Sequence, residues 1–301
     1  MIQQFRHIVH LVISFFSDYL YLFGRPLFYQ IQYQHLKNEI PKINQTKKLC
    51  LLGNGPSFSQ ITTHLDALNQ YDFCTVNLSI NNPVYKQIKP KIHVFVDKGI
   101  WVSKDREDVK LLWDNIKLID WNISLLVPYA CPKWVIDSFE KNPFVKVYRF
   151  CNNSWNPEQR FAKSLRMWLF KKGLVSPNET NVTISAIYSS ILMGYKSIYL
   201  LGVEHSWMRD VRINEKNEVV LIDRHFYGER EIVWRNYEGN PIKLVDLLQS
   251  LHATFGAHLD LRSFADYLGD VKIINCTEGS YIDAYERGKL EDIINGETYV
   301  E

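Results

Sequence analysis

From residue 49 onwards the chain alternates short apolar runs with amphipathic stretches. Runs of about four to eight apolar residues read as buried strands, and apolar positions recurring three and four apart read as helices. Strand candidates are the run closing on Leu51-Leu52, then residues 72–78, 92–97, 123–128, 145–150, 197–203 (SIYLLGV) and 271–276. Helical spacing appears at 58–68, 103–117, 131–140, 158–173, 180–193 and 242–255; in 158–173, Phe161, Leu165, Trp168 and Leu169 share one face. This alternation predicts an α/β protein, a mostly parallel sheet with helices on both faces. One polar stretch, 207–224, breaks the pattern and reads as a mobile loop. No internal repeat or low-complexity tract is present.

The first 35 residues are different. Residues 8–23 read IVHLVISFFSDYLYLF, interrupted by His10, Ser14, Ser17 and Asp18 and flanked by Arg6, His7 and Arg25. A membrane-spanning helix needs about 20 apolar residues with few charges, and this run is shorter and carries Asp18. No small-residue cleavage site follows, which argues against a signal peptide. The features fit an N-terminal apolar helix lying in a membrane interface through residues 1–33. The competing reading is a helix packed on the domain or on a second subunit of a homo-oligomer. Residues 36–48 are polar and read as a linker, which leaves 49–301 as a single domain.

Composition narrows the class. Among 301 residues, 35 Lys and Arg face 33 Asp and Glu, for a net charge of +2. A dedicated nucleic-acid binder would be strongly basic, so no nucleic acid is expected as partner. Hydrophobic residues make up 46%, enough for a large core and against disorder. Cys50, Cys74, Cys131, Cys151 and Cys276 are far apart and form no CxxC pair, so they read as free thiols in a reducing cytoplasm.

Four segments carry candidate chemistry. The first is Gly53-Asn54-Gly55-Pro56-Ser57, between a strand and a helix, where absent Cβ atoms let backbone approach a phosphate or ribose. It is neither GxGxxG nor a Walker A loop, and an ordinary strand-to-helix turn is the alternative. The second places Gly202, Glu204 and His205 at a strand's carboxyl end, where open α/β sheets bind ligands. Thr180, Asn181, Thr183 and Ser185 gather at the preceding helix start, as caps or as groups aimed at an anion. The third, Arg224-His225-Phe226-Tyr227-Gly228-Glu229-Arg230, groups a base, two guanidinium groups and a phenol around one glycine. The fourth is Asn275-Cys276-Thr277-Glu278-Gly279-Ser280 after the last strand. No HExxH or GxSxG motif is present, and no metal site is assigned. Asp97 is suited to a cation, so Mg²⁺ is compatible with the sequence but not compelled.

In this order these segments resemble bacterial sialyltransferases of glycosyltransferase family 42. They also resemble the related flagellin glycosyltransferase and MptE-like pterin pyrophosphokinase domains. The matching stretches are LLGNGPS (51–57), the strand ending at Asn77, VFVDKG (94–99), NVTISAIYSSILMGYKSIYLLGVE (181–204), HFYGE (225–229) and NCTEGSYI (275–282). The resemblance covers about residues 45–290 and implies a Rossmann-like fold with a lid-like insertion, at about 207–230 here. It implies an inverting transferase that moves a nonulosonic acid from a CMP-activated donor to a sugar hydroxyl, with no required cofactor. Its partners would be a nucleotide-sugar donor and a glycan or lipid-linked acceptor. The setting would be lipopolysaccharide or capsule assembly at the cytoplasmic face of the membrane.

By position, the resemblance puts Asn54, Asn77, Thr183, Ser185 and Gly202 at the nucleotide, with Asp97 where the sialyltransferases carry an Asn. Thr277 and Glu278 lie at the same carboxyl edge, and Tyr227 is placed to stabilise the leaving phosphate. The family motif His-Tyr-Ile-Gly-His ends in the base, and this chain has Glu229 there. The base is then His225, Glu229 or His205, with His225 favoured. The alternatives are a transferase using another nucleotide sugar, a pterin pyrophosphokinase-like enzyme and a non-catalytic scaffold docked on a membrane.

Overall fold

The computed structural model describes residues 2–24, 28, 31, 40–43, 48–156, 160–225, 228–236 and 239–296. The main sheet holds β1 (Lys48–Leu52), β2 (Asp72–Val76), β3 (Ile92–Val94), β4 (Ile123–Pro128), β5 (Val145–Phe150), β6 (Ser197–Leu201), β10 (Lys272–Asn275) and β11 (Glu286–Arg287). Their order is β11-β10-β6-β1-β2-β3-β4-β5, and every pairing is parallel. A parallel sheet needs both faces covered, which explains why Leu49, Cys50, Leu51 and Leu52 of β1 are all buried, with β6 much the same.

One face is covered by the helix Val182–Met193 and, outside it, by Arg160–Lys172 and Leu244–Leu268. The sequence VTISAIYSSILM is apolar around its whole circumference, as a helix held between a sheet and other helices must be. Within it, Tyr188 lies between the Phe170 and Val175 carbonyls, at 2.8 Å from each. Gly194 ends the helix at φ +110°, a left-handed conformation that suits glycine. The other face carries Glu107–Lys117, which buries Val109, Leu112 and Ile116, and Lys133–Phe139, which buries Val135 and Phe139. All five cysteines are buried free thiols.

From β1 the chain winds outward through β2 to β5. It then returns to the opposite side of β1 as β6 and continues to β10 and β11. The winding direction reverses between β1 and β6, and this switch point opens a crevice at the strands' carboxyl ends.

The sequence reading differs from the structure in four places. Residues 207–224, expected as a mobile loop, fold into a 3-10 turn at Trp207–Asp210, then β7 (Arg212–Ile213) and β8 (Val219–His225). With β9 (Gly228–Val233) these strands make a second, antiparallel sheet. Apolar Val219, Val220 and Leu221 are fully buried there, and Val219 packs with Leu247 and Leu251 and against Trp207 and Trp234. The 58–68 segment forms one helical turn, Phe58–Ile61, and a 3-10 turn, Asp66–Leu68, rather than a continuous helix. The helix expected at 242–255 runs on to Leu268. The two-residue strand β11 is too short and polar to leave a pattern. The expected linker, 36–48, lies mostly outside the described residues. Its described part is anchored, with Ile43 N donating to Met193 O at 3.0 Å.

Leu221 is 1% exposed in this second sheet. Leu221→Ala is expected to cost about 2–5 kcal/mol, the usual range for a buried leucine. Urea unfolding measures it, and a loss below about 0.5 kcal/mol would show that the hairpin is not part of the cooperative fold.

Candidate functional site

The crevice at the switch point has a volume of about 200 Å³. Four stretches line it: the Gly53–Pro56 turn after β1, Val76 and Asn77 after β2, Asn181–Thr183 at a helix start, and Gly202–Trp207 after β6. Asp210 and Ile222 close it from the side of the second sheet.

The glycines of the first turn serve a close approach between two protein loops. A Cβ on Gly53 would lie 2.2 Å from Gly202 O, and one on Gly55 would lie 1.5 Å from Glu204 Oε2. The turn's amides are largely spent internally. Gly53 N donates to Leu201 O (2.8 Å), Gly55 N to Gly202 O (2.9 Å) and Ser57 N to Glu204 Oε1 (2.7 Å). The sequence suggested backbone opened to a phosphate; the structure instead fills that cradle with the Glu204 carboxylate. Glu204 Oε2 is buried and has no hydrogen-bond partner among the described residues. A carboxylate oxygen accepts hydrogen bonds but repels a phosphate, so this end of the crevice suits a hydroxyl-bearing group.

Another part of the lining has a different character. Asn181 caps the helix Val182–Met193 by accepting from Thr183 N at 2.8 Å. The helix start supplies the positive end of a dipole, and Thr183, nearly buried, lines the crevice beside it. Asn77 adopts φ +45°, a region Asn tolerates better than most residues. Its Oδ1 accepts from Val96 N at 3.1 Å, which ties the ends of β2 and β3 together.

His205 sits at the crevice with φ +49°. Its ring stacks on Trp207 with centroids 4.5 Å apart, and its Nδ1 is 3.3 Å from His258 Nε2. Burial, then the neighbouring His258, push the His205 pKa well below the usual histidine value. The ring is therefore neutral at pH 7.

Several sequence candidates lie elsewhere. Ser57 does not line the crevice, and its hydroxyl is buried without a hydrogen-bond partner among the described residues. Asp97 is exposed and accepts from Gly99 N at 2.8 Å, which holds a local turn. Ser185 is fully buried below the helix start. Thr277 uses its hydroxyl structurally, accepting from Val203 N (3.1 Å) and donating to Leu200 O (3.2 Å). Glu278 is exposed and away from the crevice. The backbones of His225 and Glu229 sit at the far end of the β8–β9 hairpin, paired with Gly228 and Arg224. His225 is three residues beyond the crevice-lining Ile222, roughly 10 Å along the strand. The side chains of His225 and Glu229, and all of Tyr227, lie outside what is described. Among the described residues no group of three His, Cys, Asp or Glu could hold a metal ion.

Sequence reasoning missed Trp207, Asp210, His258 and Glu179. His258 lies on the buried side of a long amphipathic helix, where spacing marks it only as core. Both carboxylate oxygens of Glu179 are buried, and neither has a hydrogen-bond partner among the described residues. Burial pushes its pKa well above the usual carboxylate value, and the nearby Ser185 and Ser176 hydroxyls offset this only in part.

No family model matches the chain, and no curated protein matches it. Two solved structures share part of its arrangement. One is the MAf glycosyltransferase from Magnetospirillum magneticum AMB-1, with TM-score 0.48 and 13% identity. That match covers 85% of this chain and 36% of the other, so the chain spans little more than a third of that protein. The second is the sialyltransferase CstII from Campylobacter jejuni, solved in complex with a substrate analogue, cytidine-5'-monophosphate. It has TM-score 0.39 and 14% identity, over 81% of this chain and 86% of that one. At such scores neither likeness assigns an activity.

The raised Glu179 pKa gives a signed expectation. The folded protein keeps this proton where the unfolded chain, with a carboxyl pKa of about 4.3, has released it. Glu179 therefore costs more stability as pH rises above that value, until the folded pKa is passed. Relative to Glu179→Gln, the wild type is expected to lose up to about 1.4 kcal/mol per pH unit between about pH 5 and 7. Denaturant unfolding across that range measures it, and parallel curves would refute a protonated Glu179.

Proposed function

We propose that this chain is an inverting glycosyltransferase moving a sialic-acid-like nonulosonic acid from a CMP donor to a sugar hydroxyl. The observation that carries the reading is the polarity of the crevice. The buried Glu204 Oε2 is an acceptor suited to a ribose hydroxyl. The helix start with Thr183, in the same lining, suits a single phosphate. A nucleoside monophosphate carries both groups on its ribose.

An activated nonulosonate already carries a good leaving group, so the protein needs no nucleophile. It has to hold the phosphate, take the proton from the acceptor hydroxyl and exclude water. Among the described residues, His205 is the imidazole that lines the crevice. Being neutral, it can accept that proton at Nε2 while its Nδ1 engages His258. The developing phosphate charge falls to the helix dipole and the Thr183 hydroxyl.

The N-terminal helix Ile2–Gly24 supports a membrane setting, with a lipid-linked acceptor in surface glycan assembly. Two of its polar residues point inward: Ser14 and Asp18 are each 6% exposed, and Trp155 Nε1 donates to Asp18 O at 3.1 Å. Phe5, Ile8, Ile13, Phe16, Leu20 and Phe23 face outward, each more than half exposed. The stretch Gln4–Gly24 is long and apolar enough to cross a membrane by length and composition. We favour a helix lying in the interface, because its polar side is committed to the domain.

Two experiments test this. In a thermal-shift panel of CMP, UDP, GDP and ATP with and without Mg²⁺, CMP is expected to stabilise the protein by about 2.7 kcal/mol at 100 times its Kd. Glu204→Ala is expected to weaken CMP binding about 10- to 100-fold, the worth of a charged hydrogen bond. A shift with UDP or GDP alone would overturn the donor, and one requiring ATP and Mg²⁺ would overturn the reaction class. For the helix, the full chain is expected to co-sediment with anionic lipid vesicles, and Phe16→Glu/Leu20→Glu to stay in solution with an unchanged melting temperature. A wild type that ignores vesicles and runs as a dimer dissociated by the same substitutions would assign this face to a second copy instead.

A further inference from the structure

Behind the crevice wall, a line of hydrogen bonds runs inward from His205. His205 Nδ1 is 3.3 Å from His258 Nε2, and His258 Nδ1 is 2.9 Å from the Tyr285 hydroxyl. His258 is fully buried and Tyr285 nearly so. Neither lines the crevice. Burial lowers the His258 pKa to about 3, so this ring is also neutral. Two neutral imidazoles and a phenol in a row cannot choose their hydrogens independently. If one nitrogen of a ring donates, the other accepts, and the choice passes along the line.

One of the two directions leaves a lone pair on the His205 nitrogen that does not face His258. Burial, and then the charge of Asp260, which is ion-paired with Arg166 at 2.6 Å, raise the Tyr285 pKa, so the phenol keeps its proton and can accept as well as donate. With the phenol hydrogen turned away from His258, the oxygen's lone pairs face that ring. His258 then donates from Nδ1 to Tyr285 and accepts at Nε2 from His205 Nδ1–H. The His205 proton is thereby held on Nδ1, which leaves the lone pair on Nε2. Trp207, stacked on the His205 ring, and Phe255, edge-on at 6.4 Å, hold the ring plane from the sides. The positive φ at His205 fits a backbone fixed by its surroundings rather than by local preference. Among the described residues, the other ionisable groups at the crevice are Glu204 and Asp210.

We propose that His258 and Tyr285 are positioning residues that hold His205 in the Nδ1–H tautomer, so that Nε2 serves as the proton acceptor of the transfer reaction. This rests on the transferase reading above only for the identity of the proton donor. In the step, the acceptor O–H bond breaks as the new glycosidic C–O bond forms. The hydroxyl proton bonds to His205 Nε2, and the electron pair of the cleaved C–O bond leaves with the CMP phosphate. The resulting imidazolium shares its Nδ1 proton with His258 Nε2 until the product departs and the proton returns to water.

The first test needs no substrate. In the full chain with ¹⁵N-labelled histidine, NMR at neutral pH is expected to show His205 as a single Nδ1–H tautomer. His258→Leu is expected to release it towards the Nε2–H form, and Tyr285→Phe to shift it in the same direction. An Nε2–H tautomer in the wild type, or one unmoved by His258→Leu, would overturn the proposal. The second test compares two replacements of His258, using donor consumption. Gln can present an acceptor near the original Nε2, whereas Leu only fills the space. His258→Gln is expected to retain more kcat than His258→Leu. The latter should lose at least about tenfold of the 10²–10⁴ that a general base supplies, with donor KM and the CMP thermal shift unchanged. A packing role alone would favour Leu in this apolar surrounding, and that ranking would refute positioning. Absence of a CMP shift in the wild type would defeat the nucleotide reading and leave the tautomer result to decide the positioning role.

Discussion

The close contact of two loops at the switch point underlies everything else in this molecule. Gly202 O occupies the space a Gly53 side chain would need, and Glu204 Oε2 the space a Gly55 side chain would need. Because the loops interlock this tightly, the ends of β1 and β6 are fixed relative to each other. The crevice walls are then held by backbone hydrogen bonds together with those of buried side chains. A site whose parts must hold their geometry is best built on such rigid elements.

From that contact the polarity of the crevice follows. Once Glu204 fills the turn's cradle, the turn is no longer an anion site, although its sequence resembles one. The positive contribution falls to the helix start at Asn181–Thr183, which lines the same crevice. The Thr277 hydroxyl and Ser280, which donates to Val203 O at 2.7 Å, brace the segment carrying Glu204 and His205 from β10. Residues of the last strand's loop thus act on the site without touching its contents.

The second sheet and the N-terminal helix show how far pattern can mislead. Residues 207–224 are polar on average, yet Val219 packs with Leu247 and Leu251 of the helix Leu244–Leu268, Val220 and Leu221 are buried beside it, and Ile222 reaches the crevice. The apolar run of the N-terminal helix is interrupted by His10, Ser14 and Asp18. Their spacing of four places them on one face, and Ser14 and Asp18 there are buried against the domain while the apolar face points out.

Hydrophobic periodicity alone determined the class of fold, the positions of the main-sheet strands other than β11, and the crevice edge. Buried parallel strands must be continuous apolar runs, and ligand-binding loops must follow their carboxyl ends. The glycines at 53, 55 and 202, Thr183 and His205 were legible for that reason, and Asn77 through the family resemblance. Which of them meet was decided only by tertiary structure. Strand order is set by long-range packing, and no spacing in the chain records that β6 returns beside β1. Nor does it record that His258 and Tyr285, 53 and 80 residues beyond His205, end in line with it. Hydrogen bonds of that kind depend on positions in space that the whole core fixes at once.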